Sequence, residues 1–258
     1  MKYDMKHEGK FNYIESNGGE ETLLLLHGLF GALSNFEGIF THFSGKMNVV
    51  VPLLPIFDLP LHRVSVTGLA DHVAEFVAYK GFGKVHVLGN SLGGHIAILY
   101  ALAHPAQIAS ITLTGSSGLF ESAMGTSFPK RGDFDFIKRK TEATFYRPEV
   151  ATQELIDEVY DIVNDRNKAI RIIATSKSAV RHNLGDHLHN IKAPTLLIWG
   201  KEDQITPAFV GDKFHEMIPH SKLLFIEECG HAPMMEHPKL FNQYLETFLE
   251  EVTAKELP

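Results

Sequence analysis

Gly89-Asn90-Ser91-Leu92-Gly93-Gly94 decides how the rest of the chain is read. Lys84-Val85-His86-Val87-Leu88 precedes it, short and mostly apolar, and reads as a buried strand of a parallel sheet. His95 to Ala103 follows and reads as a helix that His104-Pro105 ends. Ser91 therefore stands at a sharp strand-to-helix turn, and Gly-x-Ser-x-Gly at such a turn is the pattern of a nucleophile elbow. A serine hydroxyl attacks poorly until a base takes its proton. It must also project clear of the sheet. A tight turn achieves this by straining the serine backbone. The residues two before and two after come into close contact there, so glycine suits both places. A helix starting at the serine aims the Leu92 N–H at the reacting centre, where it can receive an oxyanion. The five-residue pattern alone arises by chance in many chains, so its weight depends on partners elsewhere.

Ile108 to Thr114 after the elbow unit and Thr22 to Leu26 before it are further apolar runs of strand length. The earlier run ends in His27-Gly28-Leu29-Phe30-Gly31, a glycine-punctuated loop suited to a second backbone donor. Leu29 is the first candidate for that donor and Phe30 the next. His27 reads as a residue that holds the loop by hydrogen bonding. Met47 to Leu54 reads as another buried strand, and Pro52, Pro55 and Pro60 then stiffen a loop. Thr67 to Tyr79 is amphipathic, with Leu69, Val73, Phe76 and Val77 on one face and Gly81 and Gly83 as stops. Lys10 to Ser16 reads as a short strand on the sheet edge, followed by a turn at Asn17-Gly18-Gly19.

After Gly118 the alternation breaks. Residues 119–186 carry helical stretches near Thr152 to Val163 and Arg166 to Val180, and many aromatics. They read as a helical cap inserted into an α/β core made of residues 1–118 and 187–258. Such a cap would roof the site and supply an apolar acyl pocket. Phe30, Phe120, Met124 and Phe145 are the candidate substrate-binding residues. Most of the other aromatics read as packing for the cap's own helices. The basic clusters Lys130-Arg131 and Lys138-Arg139-Lys140 read as a solvated face.

The alternation resumes at Ala193 to Gly200, a strand followed by Lys201-Glu202-Asp203. Thr206 is placed to cap the next helix, with Pro207 at its first position. Lys222 to Glu227 reads as the last strand, and Cys229-Gly230-His231-Ala232-Pro233 follows it. His237-Pro238 opens a final helix with Leu240, Phe241, Tyr244, Leu245, Phe248 and Leu249 at helical spacing. Ser91, Asp203 and His231 thus all lie just past the carboxyl ends of parallel strands, where open α/β sheets bind ligands. Their order, Ser then Asp then His, is the one that accompanies the elbow. His231 is the candidate base, and Asp203 the group that orients it. Glu202 and Glu121 are weaker alternatives for the acid. With fifteen histidines in the chain, position rather than residue type singles out His231.

At these residues the chain resembles the α/β-hydrolase superfamily over essentially its full length. The four signatures are His27-Gly28-Leu29-Phe30-Gly31, the elbow, Gly200-Lys201-Glu202-Asp203 and Gly230-His231-Ala232-Pro233. The resemblance implies an eight-stranded, mostly parallel sheet with a helical cap after the sixth strand, and neither metal nor organic cofactor. Serine at 91 points away from relatives with an aspartate nucleophile. The elbow resembles those of small carboxylesterases and of carbon–carbon bond hydrolases of aromatic ring cleavage. The latter often carry tryptophan just after the catalytic histidine, where Ala232 stands here. The corner at Leu59-Pro60-Leu61-His62-Arg63 also lacks the Gly-His-Gly turn that many relatives have. The expected activity is a serine carboxylesterase on small or medium acyl esters. Carbon–carbon bond hydrolysis, a small-molecule receptor on the same fold, perhydrolysis and a vestigial scaffold remain alternatives.

Composition agrees with this. Of 258 residues, 44% are hydrophobic and 21% charged, as in an ordinary soluble globule. A net charge of −7 argues against nucleic acid or an anionic membrane as partner. Cys229 is the single cysteine, which excludes an intrachain disulfide framework. No apolar run approaches spanning length and Met1 to Lys10 is polar, so the expectation is a cytoplasmic protein with a small-molecule ester as partner. Monomer and homodimer stay open.

Overall fold

The computed structural model describes residues 4–31, 33–120 and 131–256. Its strands are β1 (Lys6–Glu8), β2 (Phe11–Glu15), β3 (Thr22–Leu26), β4 (Asn48–Pro52), β5 (Val85–Asn90), β6 (Ile108–Thr114), β7 (Thr195–Gly200) and β8 (Ser221–Ile226). They form one eight-stranded sheet in the order β1-β2-β4-β3-β5-β6-β7-β8. All neighbours from β4 to β8 pair in parallel, and only β1 with β2 and β2 with β4 are antiparallel. Strands β3, β5, β6 and β7 are buried at every position. Helices cover both sheet faces, so these strands read as unbroken apolar runs rather than alternations.

The helices are α1 (Glu37–Phe43), α2 (Val66–Lys80), α3 (Leu92–Ala103), α4 (Phe134–Glu142), α5 (Gln153–Asn164), α6 (Arg166–Arg181), α7 (Ala208–Met217), α8 (Pro233–Glu236) and α9 (Pro238–Glu256). Successive strand residues feed opposite layers. Leu24 and Leu26 of β3 join Val73, Phe76, Ile96 and Phe214 in one core. Leu23 and Leu25 join Ile39, Phe43, Phe241 and Leu245 in the other. Helix α2 starts and stops as its sequence predicts. Ser65 Oγ accepts the Gly68 N–H at 3.0 Å, and Gly81 closes the helix in the left-handed region at φ 64°.

The edge differs from the expectation of one short strand. It is a hairpin, β1 and β2, turning at Gly9 with φ 59°. Helices α1 and α4 carry no strong sequence signal. α1 is short and holds Gly38 and the β-branched Ile39 and Thr41, poor helix formers that packing against α9 overrides. Between β6 and β7 the described elements are all helical: α4, α5, α6 and two 3-10 turns. Asp133, Thr152 and Asp165 cap the three helices with their side chains. The two ends of this segment meet, since the Leu184 N–H donates to Gly118 O at 2.8 Å and Asn183 Nδ2 to Leu119 O at 3.0 Å.

Candidate active site

Ser91 joins β5 to α3 at φ 55° and ψ −119°, a strained conformation for a residue with a side chain. The glycines explain how the turn closes. A Cβ on Gly89 would lie 2.3 Å from Gly93 O, and one on Gly93 would lie 1.9 Å from Leu26 O. Backbone bonds pin the turn to the end of β6: Ser91 N–H donates to Thr114 O, and Ser117 N–H donates to Ser91 O, both at 3.1 Å.

Asp203 and His231 come from the loops after β7 and β8 and are both buried. Asp203 Oδ2 lies 2.9 Å from His231 Nδ1. An ionised carboxylate can only accept, so the ring proton belongs on Nδ1 and Nε2 keeps a free lone pair. Thr206 departs from its predicted role. Pro207, not Thr206, is the residue before α7, and no side chain caps that helix. The Thr206 hydroxyl donates instead to Asp203 Oδ2 at 2.9 Å. Asp203 Oδ1 accepts the N–H groups of Ile205 and Thr206 at 2.8 and 2.9 Å. Glu202 is turned elsewhere, its Oε2 accepting the Cys229 N–H at 3.0 Å. Glu121 lies outside the described residues.

Asn90 is a contributor that sequence reasoning missed. Its Nδ2 donates to Thr114 O and to His231 O, both at 3.1 Å, tying the elbow to the histidine loop. Nothing in its own sequence position separates it from a solvent-facing turn residue.

The loop after β3 is held as its sequence suggests. His27 Nε2 accepts the Leu54 N–H at 2.9 Å, so Nδ1 carries the proton and donates to Gly28 O at 2.8 Å. Burial, partly offset by the bond to Gly28, holds this imidazole below the ordinary histidine range. The loop presses on the elbow, for a Cβ on Gly28 would sit 3.3 Å from Ser91 Cβ.

Ser91, His231, Leu29, Phe30 and Leu92 line one cavity of about 290 Å³. Phe120 and Phe145 line it too, while Met124 lies outside the described residues. Ile137, Leu155, Val159 and Ile172 complete its apolar wall from α4, α5 and α6. The sequence marks α5 and α6 as helical stretches, but neither α4 nor which helix faces look into a cavity. Among the described lining residues, Lys140 is the one lysine, and no arginine, aspartate or glutamate joins it. A larger polar depression of about 460 Å³, lined by Glu20, Glu21, Lys84 and His86, lies at the amino ends of β3 and β5. It touches none of Ser91, Asp203 or His231, so the smaller cavity is the candidate site.

A family model described as the alpha/beta hydrolase fold matches residues 21–238. Among relatives, a 2-hydroxy-6-oxononadienedioate/2-hydroxy-6-oxononatrienedioate hydrolase of Paraburkholderia phymatum is 26% identical, covering 94% of this chain and 91% of its own. A monoacylglycerol lipase of Xenopus laevis is also 26% identical, over 98% of this chain and 83% of its own. The crystal structure of an alpha/beta hydrolase enzyme from the metagenome of Mar Chica lagoon sediments, Morocco, superposes with a TM-score of 0.80. It is 40% identical, covering 96% of this chain and 98% of that one. Sheet order, strained elbow and a family match over most of the sequence agree, and the chain belongs to the alpha/beta hydrolase family.

Proposed function

We propose that this protein is a serine hydrolase that cleaves carboxylic esters of small or medium, uncharged acyl groups. One observation carries the reading. Ser91 on a strained elbow and a His231 ring oriented by Asp203 face the same largely apolar cavity. Ser91 Oγ attacks the ester carbonyl while His231 Nε2 takes the hydroxyl proton. The N–H groups of Leu92 and Leu29, with Phe30 as the alternative donor, receive the oxyanion. His231 returns the proton to the departing alcohol, leaving an acyl ester on Ser91. Water, deprotonated by His231, then releases the acid. Residues 119–186 act as the cap, and their helices hold the acyl chain.

Charge favours ester over carbon–carbon cleavage. The Paraburkholderia relative is named for a dicarboxylate, whereas a monoacylglycerol is an uncharged ester. A buried dianion needs paired cations. Here Lys140 is the one lysine among the described lining residues and no arginine joins it; Lys140 is exposed to solvent, and the remaining basic group, His231, is paired with Asp203.

The test is hydrolysis of nitrophenyl esters from acetate to palmitate. Wild type should turn over many times with a chain-length optimum. Ser91→Ala and His231→Ala should lower kcat by roughly 10³- to 10⁶-fold. Retention of most turnover in either variant would overturn the assignment. Turnover of a dicarboxylate ring-cleavage product, with silence on every ester, would transfer the reading to carbon–carbon hydrolysis.

A further inference from the structure

Glu236 on α8 is a carboxylate only 3% exposed. Burying such a group is costly unless its oxygens are filled, and here both are. Oε1 accepts the N–H of Gly230, next to His231, at 2.7 Å. Oε2 accepts the N–H of Tyr146, next to Phe145, at 2.8 Å, with the Arg147 N–H at 3.4 Å. Arg147 Nη2 donates to the Glu236 carbonyl at 2.9 Å. The His231 N–H donates to Thr144 O at 2.8 Å. The histidine loop and the 144–147 segment, far apart in sequence, are thus sewn together around one carboxylate. Gly230 makes the approach feasible. A Cβ there would lie 2.7 Å from Thr144 O and 2.9 Å from Phe145 Cα.

We propose that Glu236 is a positioning residue that locks the backbone of His231 to the segment presenting Phe145. One carboxylate then sets both the seat of the base and the wall of the acyl pocket. The proposal rests on the reading of His231 as the base and of Phe145 as pocket lining. Its chemistry is specific to an ionised carboxylate, which accepts on both oxygens. Glutamine accepts on one side only and would turn an N–H towards a donor on the other.

The experiment compares Glu236→Gln with wild type on the acetate ester, alongside amide hydrogen exchange of both proteins. Because glutamine matches the shape of glutamate, the core stays filled. The expected result is a fall in kcat of about 10- to 100-fold with KM unchanged, the signature of a misplaced base. Exchange should quicken together in residues 228–232 and 144–147. Gly230→Ala, which wedges the same two backbones apart while keeping the carboxylate, should reproduce both effects. An unchanged kcat in Glu236→Gln, or faster exchange in one segment without the other, would overturn the proposal. If Ser91→Ala and His231→Ala keep their turnover, the hydrolase reading fails on its own. Exchange then decides the clamp, with a joint rise supporting it and no joint rise overturning it.

Discussion

Asp203 divides the work of its two oxygens. Oδ1 holds the turn by accepting the Ile205 and Thr206 N–H groups, and Oδ2 accepts from Thr206 Oγ1 and faces His231 Nδ1. Asp203→Asn separates the two roles. Its amide oxygen can still hold the turn, so the fold should survive. Its NH₂ would face the proton on Nδ1 and drive the ring to the opposite tautomer. On the proposed mechanism kcat should fall by about 10⁴-fold, as loss of the orienting carboxylate does in serine enzymes generally. The check is ester turnover beside a thermal melt. Wild-type turnover with an intact fold would mean that another acid serves. Cys229 is the counter-example of a residue with chemistry to spare and no use for it. Burial foremost, with Glu236, Asp203 and Glu202 nearby, pushes its thiol well above the ordinary range and keeps it in the inert protonated form.

At the scale of elements, the β5–α3 unit does one job and α5 does two. The β5–α3 unit presents Ser91, and its glycines are a condition of its shape. α5 presents Val159 and Leu155 to the cavity, while Ile156 on another face of the helix packs into the core. The helix is amphipathic, yet its apolar stripe is shared between packing and pocket. Val159→Phe should therefore fill the acyl arm. The chain-length optimum of ester hydrolysis should move to shorter acids while acetate turnover persists. Stability should fall by about 1–3 kcal/mol from overpacking. A chain-length profile identical to wild type would show that the acyl chain runs elsewhere.

Across the whole molecule, buried histidines bind stability to pH. Burial foremost, with the charge of His182 adding to it and a hydrogen bond to the His182 backbone opposing it, brings His95 down to about 3. Burial foremost, with Lys10 and Arg63 adding and Glu75 opposing, brings His72 down to about 4. In the unfolded chain each titrates near 6.5. Between these values the unfolded chain binds protons that the folded chain refuses. Their stabilisation is full above about pH 6.5 and is lost as pH falls towards 4 and then 3, at about 1.4 kcal/mol per pH unit for each ring. Melting temperature should drop between pH 6.5 and 4.5, and His95→Gln should flatten that slope whatever its effect at pH 7. Equal slopes in both proteins would refute this. Among the described residues no helix is long and apolar enough to cross a membrane.

Much of the fold was legible because its signals are local. An apolar run is buried on both sides whatever neighbour it meets, so β3, β5, β6 and β7 read directly as strands, and the capping residues around α2 act on their own helix. The elbow was legible for the same reason, since its strain and its glycines lie within a few residues. So were the positions of Asp203 and His231, because loops after parallel strands share one rim. Other features turn on partners distant in sequence. Thr206 suits a helix cap until the fold brings His231 Nδ1 within 3.3 Å of its hydroxyl, which donates to the neighbouring Asp203 instead. Glu236 reads as an ordinary helix residue until α8 sets it between Gly230 and Tyr146. The helical stretches that become α5 and α6 were visible and α4 was not, and which helix faces line the cavity depends on how the helices lie over the sheet. The sequence by itself determined the parallel strands of the sheet, the elbow and the order of the candidate catalytic groups, but not the edge hairpin. Only the tertiary structure decided which hydrogen bonds hold them, because a donor chooses among acceptors that the fold alone brings within reach.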